Sequence, residues 1–204
     1  PKDSIYNKSL IDDEIRGGFT QEIWDAFQAN NDLVRQIVLL ILNDHFQPTL
    51  FDDILSAFSI ERLFEDENQL KNSKLYRPRD PKFRSRILDI YNYSCCICGY
   101  NLRLSNSLIG LEAAHIKWHQ AGGADLEQNG LSLCSTHHKL LDYGGITLDE
   151  SLRIQPSIKL NGDPKVLNEL VYRYENKPIK LPRNHSHYPE YQNIKWHARE
   201  VYKG

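Results

Sequence analysis

Apolar positions in the first third of the chain recur at the spacing of amphipathic helices. Thr20, a residue type typical of helix N-caps, precedes a short apolar stripe. That stripe consists of Ile23, Trp24 and Phe27. Residues 32–46 are so rich in Leu, Ile and Val that they predict a largely buried helix. Residues 49–52 resemble a capping box in which Thr49 would begin a third helix. The pattern therefore predicts a small helical unit.

A polar linker at residues 65–75 separates this unit from the next helical pattern. Asp80 can cap a helix that has Pro81 at its first position. Its expected buried stripe is Phe83, Ile87, Leu88 and Tyr91. Five basic residues surround its start: Arg77, Arg79, Lys82, Arg84 and Arg86. We expect this basic cluster to contact a phosphate backbone, with a merely solubilising face as the alternative.

The middle of the chain is predicted to fold as strand, loop, strand and helix. The segments are residues 111–116, the glycine-rich residues 120–124, residues 130–134, and a helix over residues 135–143 that Gly144 ends. Residues 145–154 then alternate like a hairpin, and Asp163 precedes a further helix. An amphipathic helix at residues 189–202 is expected to pack back onto the body.

These elements predict an α+β fold in three parts. They are an N-terminal helical unit at residues 1–75, a strand-and-helix domain at residues 76–156, and a helical C-terminal extension at residues 157–204 that packs on that domain. Hydrophobic residues make up 40% of the chain and charged residues 25%, which is the composition of an ordinary folded protein rather than a disordered one.

Charge divides the chain unevenly. Residues 1–70 carry 5 Lys/Arg and 14 Asp/Glu, whereas residues 71–204 carry 20 and 13. The balance indicates that the second part meets a polyanion such as nucleic acid. We expect no membrane partner, because no apolar run approaches the roughly 20 residues that span a bilayer. The chain begins with Pro1 and contains no methionine, so we expect it to be part of a longer protein.

Two pairs of metal-ligand residues frame the middle segment. Their spacing, Cys-x2-Cys and Cys-x2-His, predicts a closed tetrahedral structural Zn²⁺ site. The proposed ligands are Cys95, Cys98, Cys134 and His137. His138 is the alternative fourth ligand, and Cys96 is interpreted as a packed thiol. Thiolates on zinc favour a reducing, cytoplasmic compartment over a disulfide framework.

Further histidines lie between and just after these pairs. His115 ends the first strand and Asn129 precedes the second. His138 and Asp142 are four residues apart on the predicted helix and so share a face. His137 points about 100° away and can face the zinc. One histidine at a strand end thus opposes a His/Asp pair on a helix.

The order His115, Asn129, His138 between the zinc ligands resembles the HNH endonuclease motif of the ββα-metal fold. The segments LEAAHIKWHQAGG and NGLSLCSTHHKLLDYG are similar to the HNH domains of modification-dependent restriction endonucleases that follow a reader of phosphorothioated DNA. The similarity covers residues 80–155, and EIRGGFTQEIWDAF resembles the end of such a reader more weakly. The resemblance implies an HNH nuclease domain at residues 76–156 that cleaves double-stranded DNA, with phosphorothioated DNA as the expected target.

The resemblance also implies roles for individual residues. His115 would be the general base, Asn129 would hold the loop that orients it, and His138 would bind a catalytic Mg²⁺ or Mn²⁺. The family often has Asp or His just before the base, where this chain has Ala114. Asp142 is the preferred replacement ligand because its spacing does not depend on strand geometry, and Glu112 is the alternative.

Lys117 and Lys139 are further candidate phosphate contacts. A homodimer is a possible assembly, since cutting both strands needs two active sites or two encounters. The competing interpretations are a non-catalytic zinc-stabilised nucleic-acid-binding module, and an HNH nuclease of another role such as homing, phage packaging or repair. A pure zinc module would need neither His115 nor the His138/Asp142 pair.

Overall fold

The computed structural model describes residues 18–64 and 80–204. The chain divides into two compact units, residues 1–38 and residues 39–204. The predicted organisation into residues 1–75, 76–156 and 157–204 stays a prediction. The mixture of helices with short strands confirms the α+β class. No helix formed by the described residues has the length and apolar character needed to span a bilayer.

Two consecutive helices begin the described part of the chain. Helix α1 spans Gln21–Ala29, and the Thr20 hydroxyl accepts a hydrogen bond from the Ile23 amide as predicted. Helix α2 spans Asn31–His45. Its expected burial is wrong, because Leu40 and Ile41 are exposed. Only the stripe of Leu39, Leu42 and Asn43 is buried, since residues three and four apart share one helix face.

The predicted capping box is also wrong. A 3₁₀ turn at Pro48–Leu50 leads into helix α3, Phe51–Ala57, which has no side-chain N-cap. The Thr49 hydroxyl instead donates a hydrogen bond to Oδ2 of Asp142. Thr49 therefore binds a residue that is distant in sequence instead of capping its own helix. A pattern of four consecutive residues cannot reveal such a contact.

Helix α4 spans Phe83–Ile90 and carries the predicted buried stripe. It begins two residues after Pro81, yet Asp80 still acts at its start, because its carboxylate accepts the Lys82 amide at 2.8 Å. A two-residue hairpin follows, with β1 at Arg103–Leu104 and β2 at Ser107–Leu108.

The centre of the second unit is an antiparallel hairpin held between two helices. Strand β3, Leu111–His115, pairs with β4, Gly130–Cys134, and helix α5 follows at Ser135–Asp142. The register pairs His115 with Gly130, so both lie on the face that α4 covers. A side chain at Gly130 would collide with Ile87 of α4, which explains the glycine. This is the predicted order of strand, loop, strand and helix.

Two strands and two helices follow. They are β5 at Ile146–Leu148, β6 at Ile154–Pro156, α6 at Pro164–Leu170 and α7 at Tyr191–Glu200. His197 anchors α7: its Nε2 donates to the Leu141 carbonyl at 2.9 Å and its Nδ1 accepts from the Thr147 hydroxyl at 2.9 Å. Burial lowers the pKa of His197 to about 4, so the ring is neutral.

Candidate active site

The residues with predicted zinc spacing converge on one point. Ligand atoms of Cys95, Cys98, Cys134 and His137 all lie within 4.8 Å of one another. The Cys98 and Cys134 sulfurs are 3.9 Å apart, and Nδ1 of His137 lies 3.1 Å from the Cys134 sulfur and 3.7 Å from that of Cys95. Bonds of about 2.3 Å at tetrahedral angles would place two sulfurs ~3.8 Å apart. The Cys3His cluster therefore fits a zinc ion.

The surroundings of the cluster fix its histidine. Nε2 of His137 donates to the Leu170 carbonyl at 2.8 Å, which leaves Nδ1 as the nitrogen turned to the sulfurs. Burial lowers the pKa of His137, but hydrogen bonds with Cys95 and Cys98 outweigh it and raise the pKa to about 10. Neighbouring thiols lower the pKa of Cys95. Cys96 stands apart from the cluster and is buried, which raises the pKa of its thiol.

A second cluster lies on the face of β3 that carries Glu112, opposite to the face that carries His115. Nδ1 of His138 is 2.6 Å from Oε2 of Glu112, and its Nε2 is 3.3 Å from Oδ2 of Asp142. The His138 ring thus bridges two carboxylates that belong to a strand and a helix. Hydrogen bonds from His138 and Ser135 lower the pKa of Glu112, although partial burial opposes the shift.

The two carboxylates differ in their access to solvent. The Asp142 side chain is 0% exposed and accepts the Thr49 hydroxyl as well. The Glu112 side chain is 40% exposed. A ligand arriving from solvent would therefore reach Glu112 and the Nδ1 side of His138 first.

The candidate base, His115, is held at the end of β3. Its Nε2 lies 2.7 Å from Oδ1 of Asp125, and its ring stacks on Phe83 with centroids 4.2 Å apart. The His115 side chain is 4% exposed. Burial raises the pKa of Asp125, but hydrogen bonds from the Asp80 amide and from His115 more than compensate and lower it. A carboxylate thus orients the imidazole.

Asn129 closes the loop after His115. Its Oδ1 accepts the Lys117 amide at 2.8 Å, and its Nδ2 donates to the carbonyls of Lys117 and Ala124 at 2.9 and 3.0 Å. A Cβ at Gly123 would lie 2.0 Å from the Lys117 carbonyl oxygen, so a glycine is needed where the loop folds back. The geometry accords with the loop-holding role expected of Asn129, which stays a prediction.

Asp125 is a candidate functional residue that the sequence pattern missed. It lies ten residues after His115 in an irregular loop, and no spacing rule connects the two positions. Its second oxygen is 3.8 Å from Nε2 of His119. The available signal was an acidic residue beside the glycine-rich segment, which by itself also fits a solvent-exposed turn.

The expected phosphate contacts have different surroundings. Arg77 and Arg79 lie outside the described residues, and Lys82 and Lys139 are exposed. Arg84 donates to the Leu111 carbonyl at 2.9 Å. Arg86 binds Asp80, Glu127 and the Asp125 carbonyl at 2.6 to 2.7 Å. Arg86 therefore supports the loop that carries Asp125, and its expected phosphate contact stays a prediction.

A zinc-fitting Cys3His cluster beside a β-hairpin and helix that carry two histidine–carboxylate pairs defines a ββα domain that can hold a structural metal ion. Residues 95–149 match the family model described as HNH endonuclease, so this part of the chain is an HNH endonuclease domain. The domain is thereby assigned to the nucleases, a class of phosphodiester hydrolases.

The chain was also compared with curated proteins and with solved structures. A search of curated proteins found no match. The structure is similar to a solved structure named modification dependent TagI restriction endonuclease, with a TM-score of 0.45 and 17% identity. The match covers 67% of this chain and 43% of that chain, so the present chain spans less than half the length of that protein.

Proposed function

We propose that this protein is a divalent-metal-dependent endonuclease that hydrolyses phosphodiester bonds of double-stranded DNA. The observation that carries the proposal is the pair of clusters on β3, His115 with Asp125 and His138 with Glu112, within a segment that matches the HNH endonuclease family. One cluster suits proton transfer and the other suits a hard cation. A domain that only bound nucleic acid would need neither.

His115 is the proposed general base. Because Nε2 donates its hydrogen to Asp125, the neutral ring carries its lone pair on Nδ1. Nδ1 would accept a proton from the attacking water, and the Asp125 carboxylate would stabilise the imidazolium that forms. Asn129 holds the backbone on both sides of the loop and so keeps this geometry.

Glu112 and His138 are the proposed ligands of a catalytic Mg²⁺ or Mn²⁺. Glu112 is accessible and offers carboxylate oxygens, and Nδ1 of His138 already faces it. The enclosed Asp142 would accept the Nε2 hydrogen of His138 and orient the ring, as carboxylates commonly do behind metal-bound histidines. When bound, such an ion neutralises charge on a scissile phosphate and on the departing oxygen. Glu112 would thus replace the ligand missing at Ala114.

The narrower part of the proposal concerns the substrate. The similarity of residues 80–155 to HNH domains of modification-dependent restriction endonucleases supports phosphorothioated DNA as the target. The 95–149 segment offers chemistry common to many HNH nucleases, so the choice of target would have to be made elsewhere in the protein.

The test is cleavage of two matched duplexes, one plain and one phosphorothioated, with added Mg²⁺ or Mn²⁺. We expect divalent-ion-dependent nicking that leaves a 5′-phosphate and a 3′-hydroxyl, with the modified duplex preferred. If the full-length protein cleaves both duplexes at the same rate, the proposed preference for phosphorothioated DNA is wrong and the nuclease function still stands. No cleavage of either duplex with either ion would contradict the nuclease itself.

A further inference from the structure

The C-terminal helix α7 presents a basic face beside the loop that follows His115. Residues at positions i, i+3, i+4 and i+7 of a helix share one face. On α7 this stripe is Gln192, Lys195, Trp196 and Arg199. The opposite face carries the buried Ile194 and His197, which fix the helix to the rest of its unit. The stripe is therefore held on a rigid support.

The stripe meets Lys117 across a surface groove of about 330 Å³. The groove is lined by Lys117, Gln192, Asn193, Lys195, Trp196 and Arg199. Three of the lining residues are cations, two are carboxamides and one is an indole, and none of these lining residues is acidic. Glu200 pairs with Arg199, but both side chains are exposed and such a surface pair is weak.

Lys117 ties this groove to the candidate active site. It follows His115 by two residues, and Asn129 binds its amide and its carbonyl at 2.8 and 2.9 Å. Trp196 packs edge-on against Trp118 of the same loop, with centroids 5.8 Å apart. The groove is consequently fixed relative to His115.

We propose that this groove, lined by Lys117, Lys195 and Arg199, binds the phosphate backbone of the DNA strand that enters the active site, which rests on the nuclease function proposed above. From Gln192 to Arg199 the helix rises about 10 Å. Within it, Lys195 and Arg199 are separated by a rise of about 6 Å, close to two of the ~3.4 Å axial steps between phosphates of one B-DNA strand. Lys117 lines the same groove and supplies a third cation from the loop. The carboxamides can donate to phosphate oxygens, and Trp196 offers an aromatic surface to a sugar or base. The C-terminal extension thereby becomes part of the substrate site.

The test measures binding of a short duplex without added divalent ion, over a series of salt concentrations. The variant is the double substitution Lys195→Ala and Arg199→Ala. Removing one cation that binds a phosphate should reduce the slope of log affinity against log salt by about 0.9. The double variant should therefore have a slope smaller by about 1.8 and bind roughly tenfold more weakly at low salt.

The matched control is Lys165→Ala with Arg173→Ala. It removes the same two residue types from the α6 region, and Arg173 pairs with exposed Glu169 much as Arg199 pairs with Glu200. The control should retain the wild-type slope. Zinc content and circular dichroism report the fold of every variant.

The outcomes separate the groove from the nuclease. An unchanged salt slope in the groove variant, or an equal loss of slope in the control, would show that the groove does not bind phosphate. Plasmid cleavage by the wild type would still support the nuclease function in that case. If the wild-type protein binds DNA with the expected salt slope but never cleaves it, the nuclease function is contradicted and the phosphate-binding role of the groove still stands. If the wild-type protein does not bind DNA, the proposed phosphate-binding role of the groove is wrong.

Discussion

The chemistry proposed for this domain depends on individual side chains near the two ends of β3. His115 was recognisable from its place in the motif, whereas its partner Asp125 was not, because the contact depends on how an irregular loop folds. Likewise, the sequence favoured Asp142 as the metal ligand from helix spacing alone. Solvent access, which periodicity does not encode, favours Glu112 for that role and places Asp142 behind His138.

Asp125→Asn should slow DNA cleavage by roughly 10² or more. An amide can still accept the Nε2 hydrogen of His115, but it cannot stabilise the imidazolium by its charge. Losing that charge also lowers the pKa of the base, so the rising limb of the pH–rate profile should move to lower pH. Rates measured from pH 5 to 9 check this. A uniform loss with an unmoved profile would assign Asp125 a structural role alone.

Glu112→Gln and Asp142→Asn should affect metal binding differently. The first removes a proposed ligand, and we expect stoichiometric Mn²⁺ binding at the catalytic site to disappear. The second disturbs only the orientation of His138, and we expect the site to persist with about 10- to 100-fold weaker affinity. Calorimetric titration with Mn²⁺ on the zinc-loaded protein measures both. Loss of binding in Asp142→Asn with wild-type binding in Glu112→Gln would make Asp142 the ligand.

Among the secondary-structure elements, those with local signals were predicted best. Paired ligand spacings identified the Cys3His cluster, and the stripe on α4 and the cap at Thr20 follow local chemistry. Two predictions that needed a neighbour were wrong: α2 is less buried than its apolar content suggested, and Thr49 binds Asp142 rather than capping a helix. A pattern states which face is apolar but not how many elements will cover it.

Helix α7 should make stability depend on pH through His197. The ring is buried and its pKa is about 4, below the value of about 6.5 in an unfolded chain, so the unfolded state binds the proton first. Its contribution is complete above pH 6.5 and declines as pH falls toward 4, by about 2 kcal/mol between pH 7 and pH 5.

Urea unfolding of wild type and His197→Gln at pH 7 and pH 5 measures this. The variant should be less stable at pH 7, because the buried ring forms hydrogen bonds with the Leu141 carbonyl and the Thr147 hydroxyl. It should also lose less stability on acidification, and comparing the two proteins cancels the proton sensitivity of the zinc ligands. Equal losses in both proteins would show that His197 does not titrate as described.

The candidate site residues lie in the part of the chain that carries excess positive charge. The zinc-fitting cluster, both histidine–carboxylate pairs and the α7 groove all fall within residues 71–204, the part with excess positive charge. A nuclease needs such a field to attract its polyanionic substrate. The sequence revealed that division of charge, but only the fold brought Lys117 and α7 together.

The proposed mechanism requires His115 to take a proton from the attacking water. Replacing His115 with Gly removes the ring that lies between Phe83 and Asp125 and leaves room for a free imidazole. The measurement is plasmid nicking by His115→Gly in Mg²⁺, with and without added imidazole. We expect a loss of about 10²- to 10⁴-fold and at least tenfold recovery with imidazole, while wild type stays unchanged. Nicking at the wild-type rate by His115→Gly without imidazole would show that His115 is not the base.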